Sequence, residues 1–137
     1  MKNIFLDTNV VIDFLSHRRP FSLLAAKIFN YSLQGKVKVY ISAISHNNIY
    51  YILRQSLTSI ETIKLLDGLC ETSEIADVTK AIIKASLKTD FKDFEDAIQY
   101  NCALSINKLD FIVTRDTKDF KKSTLPVLTP EEAINSL

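Results

Sequence analysis

Asn3-Ile4-Phe5-Leu6-Asp7-Thr8-Asn9 is the stretch that decides the fold. Its apolar run is too short for a helix and reads as a buried strand that delivers Asp7 into a turn. Outward from it, residues 10–15 have helical spacing and stop at His17-Arg18-Arg19-Pro20. Residues 21–33 repeat Leu24, Ala25, Ile28 and Phe29 three and four apart, and that helix ends at Gly35, a left-handed cap. Val37, Val39 and Ile41 alternate with Lys36, Lys38 and Tyr40 as a second strand. Ser42 or Ser45 caps the next helix, which turns Ile49, Ile52 and Leu53 inward. Residues 59–70 make a helix with Ile60, Ile63, Leu66 and Leu69 along one face, and residues 73–78 a third strand. Thr79 caps a helix running to Leu87, and residues 91–106 are the longest amphipathic segment. Residues 110–113 and 126–128 are the fourth and fifth strands, and Thr129-Pro130-Glu131-Glu132 starts a last helix with Pro at its first position.

Strands alternating with helices imply an α/β fold with a mainly parallel sheet, because parallel neighbours need a crossover that is usually helical. No linker, repeat or charge block divides residues 1–137, which read as a single domain. At 137 residues the chain is long enough to bury a core unaided. Only 2 Gly and 3 Pro argue against an all-β fold or a low-complexity chain. A net charge of +1 announces no general affinity for nucleic acid, so any such contact must be a local patch. Cys70 and Cys102 lie apart in amphipathic stretches and suggest neither a disulfide framework nor a metal knuckle. With no apolar signal region and no membrane-length run, the expectation is a cytoplasmic protein that meets no membrane.

In parallel sheets, ligands gather beyond the carboxyl ends of the strands. Asp7 follows the first strand, Asp116 follows the fourth, and Asp93 and Asp96 stand three apart at the start of the helix preceding it. Gathered carboxylates raise one another's pKa unless a cation is bound. Oxygen-only ligands suit Mg²⁺ or Mn²⁺ over zinc, and a divalent ion so held assists hydrolysis of a phosphodiester. Each acid also has a plainer role open to it. Asp7 can cap the next helix through an Asx turn, and Asp93 and Asp96 can complement a helix dipole. Asp116 and Asp119 can be loop acids.

Three motifs carry a family resemblance. Ile4-Phe5-Leu6-Asp7-Thr8-Asn9-Val10 resembles the opening of PIN domains, the nuclease fold of many VapBC-type toxins. Asp93-Phe94-Glu95-Asp96-Ala97-Ile98-Gln99 resembles their central acidic motif. Phe111-Ile112-Val113-Thr114-Arg115-Asp116, followed by Asp119-Phe120, resembles the closing one. The resemblance implies a three-layer α/β/α sandwich around a five-stranded parallel sheet and a Mg²⁺- or Mn²⁺-dependent endoribonuclease. It further implies an antitoxin partner and a homodimer. Carried over residue by residue, Asp7, Asp96 and Asp116 are the metal-coordinating core. Asp93 and Asp119 are accessory acids, and Thr114 and Asn9 accessory polar groups. Where such nucleases usually carry a Glu, this chain has Asn48, which offers a carbonyl oxygen but no charge. Asp93, one turn before Asp96, is the expected replacement for that charge. The competing expectation is a degenerate PIN-like module that binds RNA or protein without cutting.

Arg115 and Lys118 beside the closing motif, and Arg18 and Arg19 in the first loop, are the candidates for gripping RNA phosphates. His46, near Asn48, reads more readily as a packing residue than as a proton shuttle. Tyr50, Tyr51, Ile52 and Leu53, with the helix over 59–70, offer an apolar surface for self-association.

Overall fold

Along the first strand, Ile4 and Leu6 enter one core layer while Phe5 enters the other, so this strand is buried on both faces. The computed structural model describes residues 1–137. In chain order the elements are β1 (Lys2–Leu6), α1 (Thr8–Leu15), α2 (Phe21–Leu33), β2 (Val37–Ser42), α3 (Ala43–Leu53) and α4 (Ser59–Thr72). There follow β3 (Glu74–Ala76), α5 (Lys80–Leu87), α6 (Phe94–Ser105), β4 (Phe111–Val113), a 3-10 turn (Thr117–Phe120), β5 (Val127–Leu128) and α7 (Pro130–Asn135).

The sheet has five strands in the order β3-β2-β1-β4-β5, and every pairing is parallel. One core layer joins Ile4, Leu6, Val39 and Val113 to Val10, Ile28, Ile49, Leu69 and Ala133 of the helices α1, α2, α3, α4 and α7. The other joins Phe5 and Ile112 to Ile82 of α5 and to Ile98 and Cys102 of α6. That is the expected three-layer sandwich. The strand order reverses at β1, between β2 and β4, so a crevice opens beyond the carboxyl ends of these strands. No helix is long and apolar enough to cross a membrane.

Three local expectations change. The face that α4 buries is Thr62, Leu65, Leu66 and Leu69, while Ile60 and Ile63 are 71% and 53% exposed. A reciprocal capping box between Thr58 and Glu61 fixes the first turn. The Thr62 hydroxyl then donates to the Thr58 carbonyl and turns that side inward. The segment 91–106 is helical only over Phe94–Ser105, because Asp93 takes an extended backbone and caps it. The longest helix is α4, with 14 residues against 12 for α6. Finally, α1 begins at Thr8, since Asp7 itself is its cap.

Candidate active site

Register brings the first two acids together. Leu6 pairs with Val113, and the Asp7 amide donates to the Val113 carbonyl at 3.0 Å, so the residues leaving β1 and β4 emerge side by side. Asp7 is 6% exposed. One carboxylate oxygen accepts from the Thr8 amide at 2.8 Å and caps α1. The other accepts from the Thr114 hydroxyl at 2.9 Å. Capping and site-facing are therefore not alternatives for this residue. Thr114 spends all the capacity of its hydroxyl, donating to Asp7 and accepting from the Asn9 amide at 3.2 Å and the Asp116 backbone at 3.1 Å. The Asn9 side-chain nitrogen also lies 3.5 Å from Asp7 Oδ2 and 3.4 Å from Asp116 Oδ2, so one amide spans both acids.

The first turn of α6 supplies the next acids. Asp93 accepts from the Asp96 amide at 3.0 Å, which is its capping role. Asp96 is pushed up to about 7, first by burial, then by the charge of Asp7, and further by Asp93, Asp119 and Glu95. Asp7 is raised to about 6, again chiefly by burial; the bonds from Thr114 and Thr8 oppose the rise, and Glu95 and Asp116 add to it. The charges named as acting on these two acids are all of their own sign. As they stand, no three His, Cys, Asp or Glu side chains close into one ligand set. The donors are all oxygens, which is the chemistry of a hard divalent cation.

A cleft of about 530 Å³ opens beside them. Asp90, Asp93, Asp96 and Asp119 line it together with Lys92, Lys118, Lys121, Lys122 and Phe91, so acids and cations share one hollow.

Other expected residues lie elsewhere. Arg115 leaves the closing motif and forks onto Asp13, with Nε to Oδ2 at 2.6 Å and Nη2 to Oδ1 at 3.3 Å. Its guanidinium also lies 4.1 Å from the centre of the Phe21 ring. Bound so on two sides, Arg115 is held within the fold, with 26% of its side chain exposed. Arg18 reaches the same Asp13 at 3.9 Å, while Arg19 is exposed and forms no ion pair. His46 Nδ1 bonds the Ser42 carbonyl at 2.8 Å, which pins the ring to the start of α3. Asn48 donates to Glu95 Oε1 at 2.5 Å.

Sequence reasoning missed Asp13 and a buried polar cluster behind the acids. Fully buried Gln99 donates to Ser45 Oγ at 2.8 Å and Thr8 Oγ1 at 3.2 Å, and these two hydroxyls meet at 2.7 Å. Gln99 lies three residues after Asp96, Ser45 three before Asn48, and Thr8 adjoins Asp7. The cluster thus ties the starts of α1 and α3 to the middle of α6. That spacing is the signal by which it could have been found.

Comparison with known proteins supports what the geometry suggests. Ribonuclease VapC1 of Aquifex aeolicus (strain VF5) is 27% identical, over 96% of this chain and 92% of the relative. A toxin–antitoxin complex from Klebsiella pneumoniae contains a chain 27% identical, with TM-score 0.66 over 93% of this chain and 97% of that one. The DNA-bound VapBC of Salmonella typhimurium shares the fold, at TM-score 0.71 and 18% identity over 95% and 99% of the two chains. The model of the PIN domain matches residues 3–118, from β1 through Asp116 and into the turn that follows, and the chain belongs to the PIN domain family.

Proposed function

We propose that this chain is a divalent-metal-dependent endoribonuclease and the toxin half of a toxin–antitoxin pair. The observation that carries the reading is the placing of Asp7 and Asp96, both raised by burial and by like charge, at the carboxyl edge of the sheet. Asp7, Asp96 and Asp116 are the residues that would hold Mg²⁺ or Mn²⁺, with Asp119 nearby as an accessory acid. A divalent ion there supplies the Lewis acidity that activates water and offsets charge building on the phosphodiester. The chain's own groups do the rest. Thr114 and the Thr8 amide fix the direction of the Asp7 carboxylate, and Asn9 keeps Asp116 beside it. Lys92, Lys118, Lys121 and Lys122 draw a polyanion to the acidic side of the cleft.

The names of the Aquifex ribonuclease and the Klebsiella toxin–antitoxin complex support the enzymatic and toxin assignments. The antitoxin is the expected protein partner. The expected homodimer has exposed apolar side chains to use on α3 and α4, at Tyr51, Ile60 and Ile63. The test is cleavage of mixed single-stranded RNAs with Mg²⁺ or Mn²⁺, beside the Asp7→Asn and Asp116→Asn proteins. Loss of cleavage in both, and in EDTA, supports the reading; cleavage that survives either overturns it. Asn48 favours one rival, a binding module that does not cut. RNA retention with no cleavage at saturating Mn²⁺ is its signature.

A further inference from the structure

We infer that Glu95 is the fourth acid of the site, oriented by Asn48, and that the charge missing from α3 has moved to α6. The inference rests on the metal-dependent reading of the pocket. Its ground is a pairing across the crevice. Asn48 on α3 donates from Nδ2 to Glu95 Oε1 at 2.5 Å, joining positions 47 residues apart. A carboxylate at position 48 could not make this bond, because it would set two anions against each other. An amide donor can, and it holds Glu95 on the site side of α6, where Glu95 acts on both Asp7 and Asp96. Asn48 and Glu95 are a matched pair: neutral donor on one helix, acid on the other.

Asp93, the replacement expected from the sequence, also stands beside Asp96, but its charge is not among those that act on Asp7, as that of Glu95 is. The Asp93 carboxylate accepts from the Asp96 amide as the cap of α6. Glu95 has no such backbone duty, and its one hydrogen bond within the chain comes from Asn48. That leaves its second oxygen free for the ion or for a water on it.

The test is a charge-swap series read by Mn²⁺ affinity, using calorimetry or the paramagnetic signal of free Mn²⁺ with the full-length protein. Glu95→Gln is expected to weaken Mn²⁺ binding about tenfold, the size of effect for a group that supports a metal site. Adding Asn48→Glu to that protein returns the charge to α3 and recovers most of the loss. Asn48→Ala keeps the acid but frees its orientation, and weakens binding less than Glu95→Gln does. Thermal unfolding of the metal-free proteins separates this role from a structural one. Removing one of several like charges leaves the Glu95→Gln midpoint equal or higher, whereas a prop for α3 would show a lower one. The inference is overturned if Glu95→Gln binds Mn²⁺ as the parent does while Asp96→Asn does not. It is also overturned if the swap recovers nothing, or if the metal-free midpoint falls. Should Asp96→Asn leave Mn²⁺ affinity unchanged too, the metal-dependent reading falls together with the inference.

Discussion

Two aspartates at the two ends of α1 meet opposite surroundings. Asp13 is 1% exposed, and its carboxylate takes a forked bond from Arg115 and a longer contact from Arg18. Phe21 closes over the Arg115 guanidinium. Asp7 is 6% exposed, and its partners are neutral donors: the Thr8 amide, the Thr114 hydroxyl and the Asn9 amide. Its charged neighbours, Glu95 and Asp116, are of its own sign. Burial alone therefore says little about function. A buried carboxylate with its own guanidinium ties the fold together. One that is hydrogen-bonded into place but left uncompensated must be neutralised by a proton or by something the chain binds.

The contrast breaks most directly by removing each charge in turn. Asp7→Asn is expected to lower RNA cleavage about a thousandfold, since it removes a charge needed where charge develops on the substrate. The metal-free protein should unfold no earlier than the parent, because a repelled buried anion is gone. Asp13→Asn is expected to do the reverse. It leaves Arg115 half-buried without its acid and costs about 2–3 kcal/mol in urea unfolding, with cleavage per folded molecule close to the parent's. Cleavage abolished by Asp13→Asn at full stability would erase the distinction between the two acids.

Proton uptake sharpens the same comparison. Asp7 at about 6 and Asp96 at about 7 both lie above the ordinary carboxylate range, so the folded metal-free chain holds protons that the unfolded chain has released. Their contribution is stabilising below the unfolded value, near 4, and is lost as pH rises through about 6 to 7. The melting temperature of the metal-free protein is therefore expected to fall by several degrees between about pH 5 and pH 8. Saturating Mn²⁺ should cancel that fall at the upper end, where both acids are ionised. Asp7→Asn flattens the profile. Melting curves across that range, with and without Mn²⁺, check all of these. A profile that rises with pH in the metal-free parent would show that Asp7 and Asp96 are not destabilised as anions.

How much of this was legible in the sequence follows from how local each signal is. A parallel sheet is buried on both faces, so Ile4-Phe5-Leu6 and Phe111-Ile112-Val113 announce themselves as short apolar runs, and whatever follows them lies at the site edge. That was enough to place Asp7, Thr114 and Asp116. The rotation of α4 was misread because Ile60 and Ile63 look apolar in any register, while the deciding group, Thr62, is polar and pays for burial with a bond to Thr58. Glu95 carries no signal of its own inside Asp93-Phe94-Glu95-Asp96, since its partner Asn48 belongs to a helix on the opposite face of the sheet and reaches it through one side-chain bond spanning 47 residues. The pair of Asp13 and Arg115 spans 102 residues and has no pattern in either neighbourhood. Without it, the sequence sets Arg115 beside Lys118 as one more basic residue after the closing motif.

The smallest expected effect, and the most specific, separates Arg115 from the lysines that follow it. Arg115, Lys118, Lys121 and Lys122 lie within eight positions of one another, yet the fold gives them different work. Lys118, Lys121 and Lys122 line the cleft that Asp96 shares, and none of them is ion-paired; Arg115 is held by Asp13 and Phe21. A lysine that neutralises a phosphate releases a counterion, so its loss should reduce the slope of log Kd against log salt by about 0.7 for single-stranded RNA. A guanidinium already neutralised inside the protein releases none. With Asp7→Asn as the background, so that the strand stays intact, Lys118→Ala or Lys121→Ala should lower the slope by that amount. Arg115→Ala should leave it unchanged while costing stability, because Asp13 then stands buried without its fork. The reverse pattern, a slope sensitive to Arg115 and indifferent to the lysines, would mean that RNA draws Arg115 off Asp13. In that case the two aspartates of α1 would share one function instead of dividing structure from chemistry.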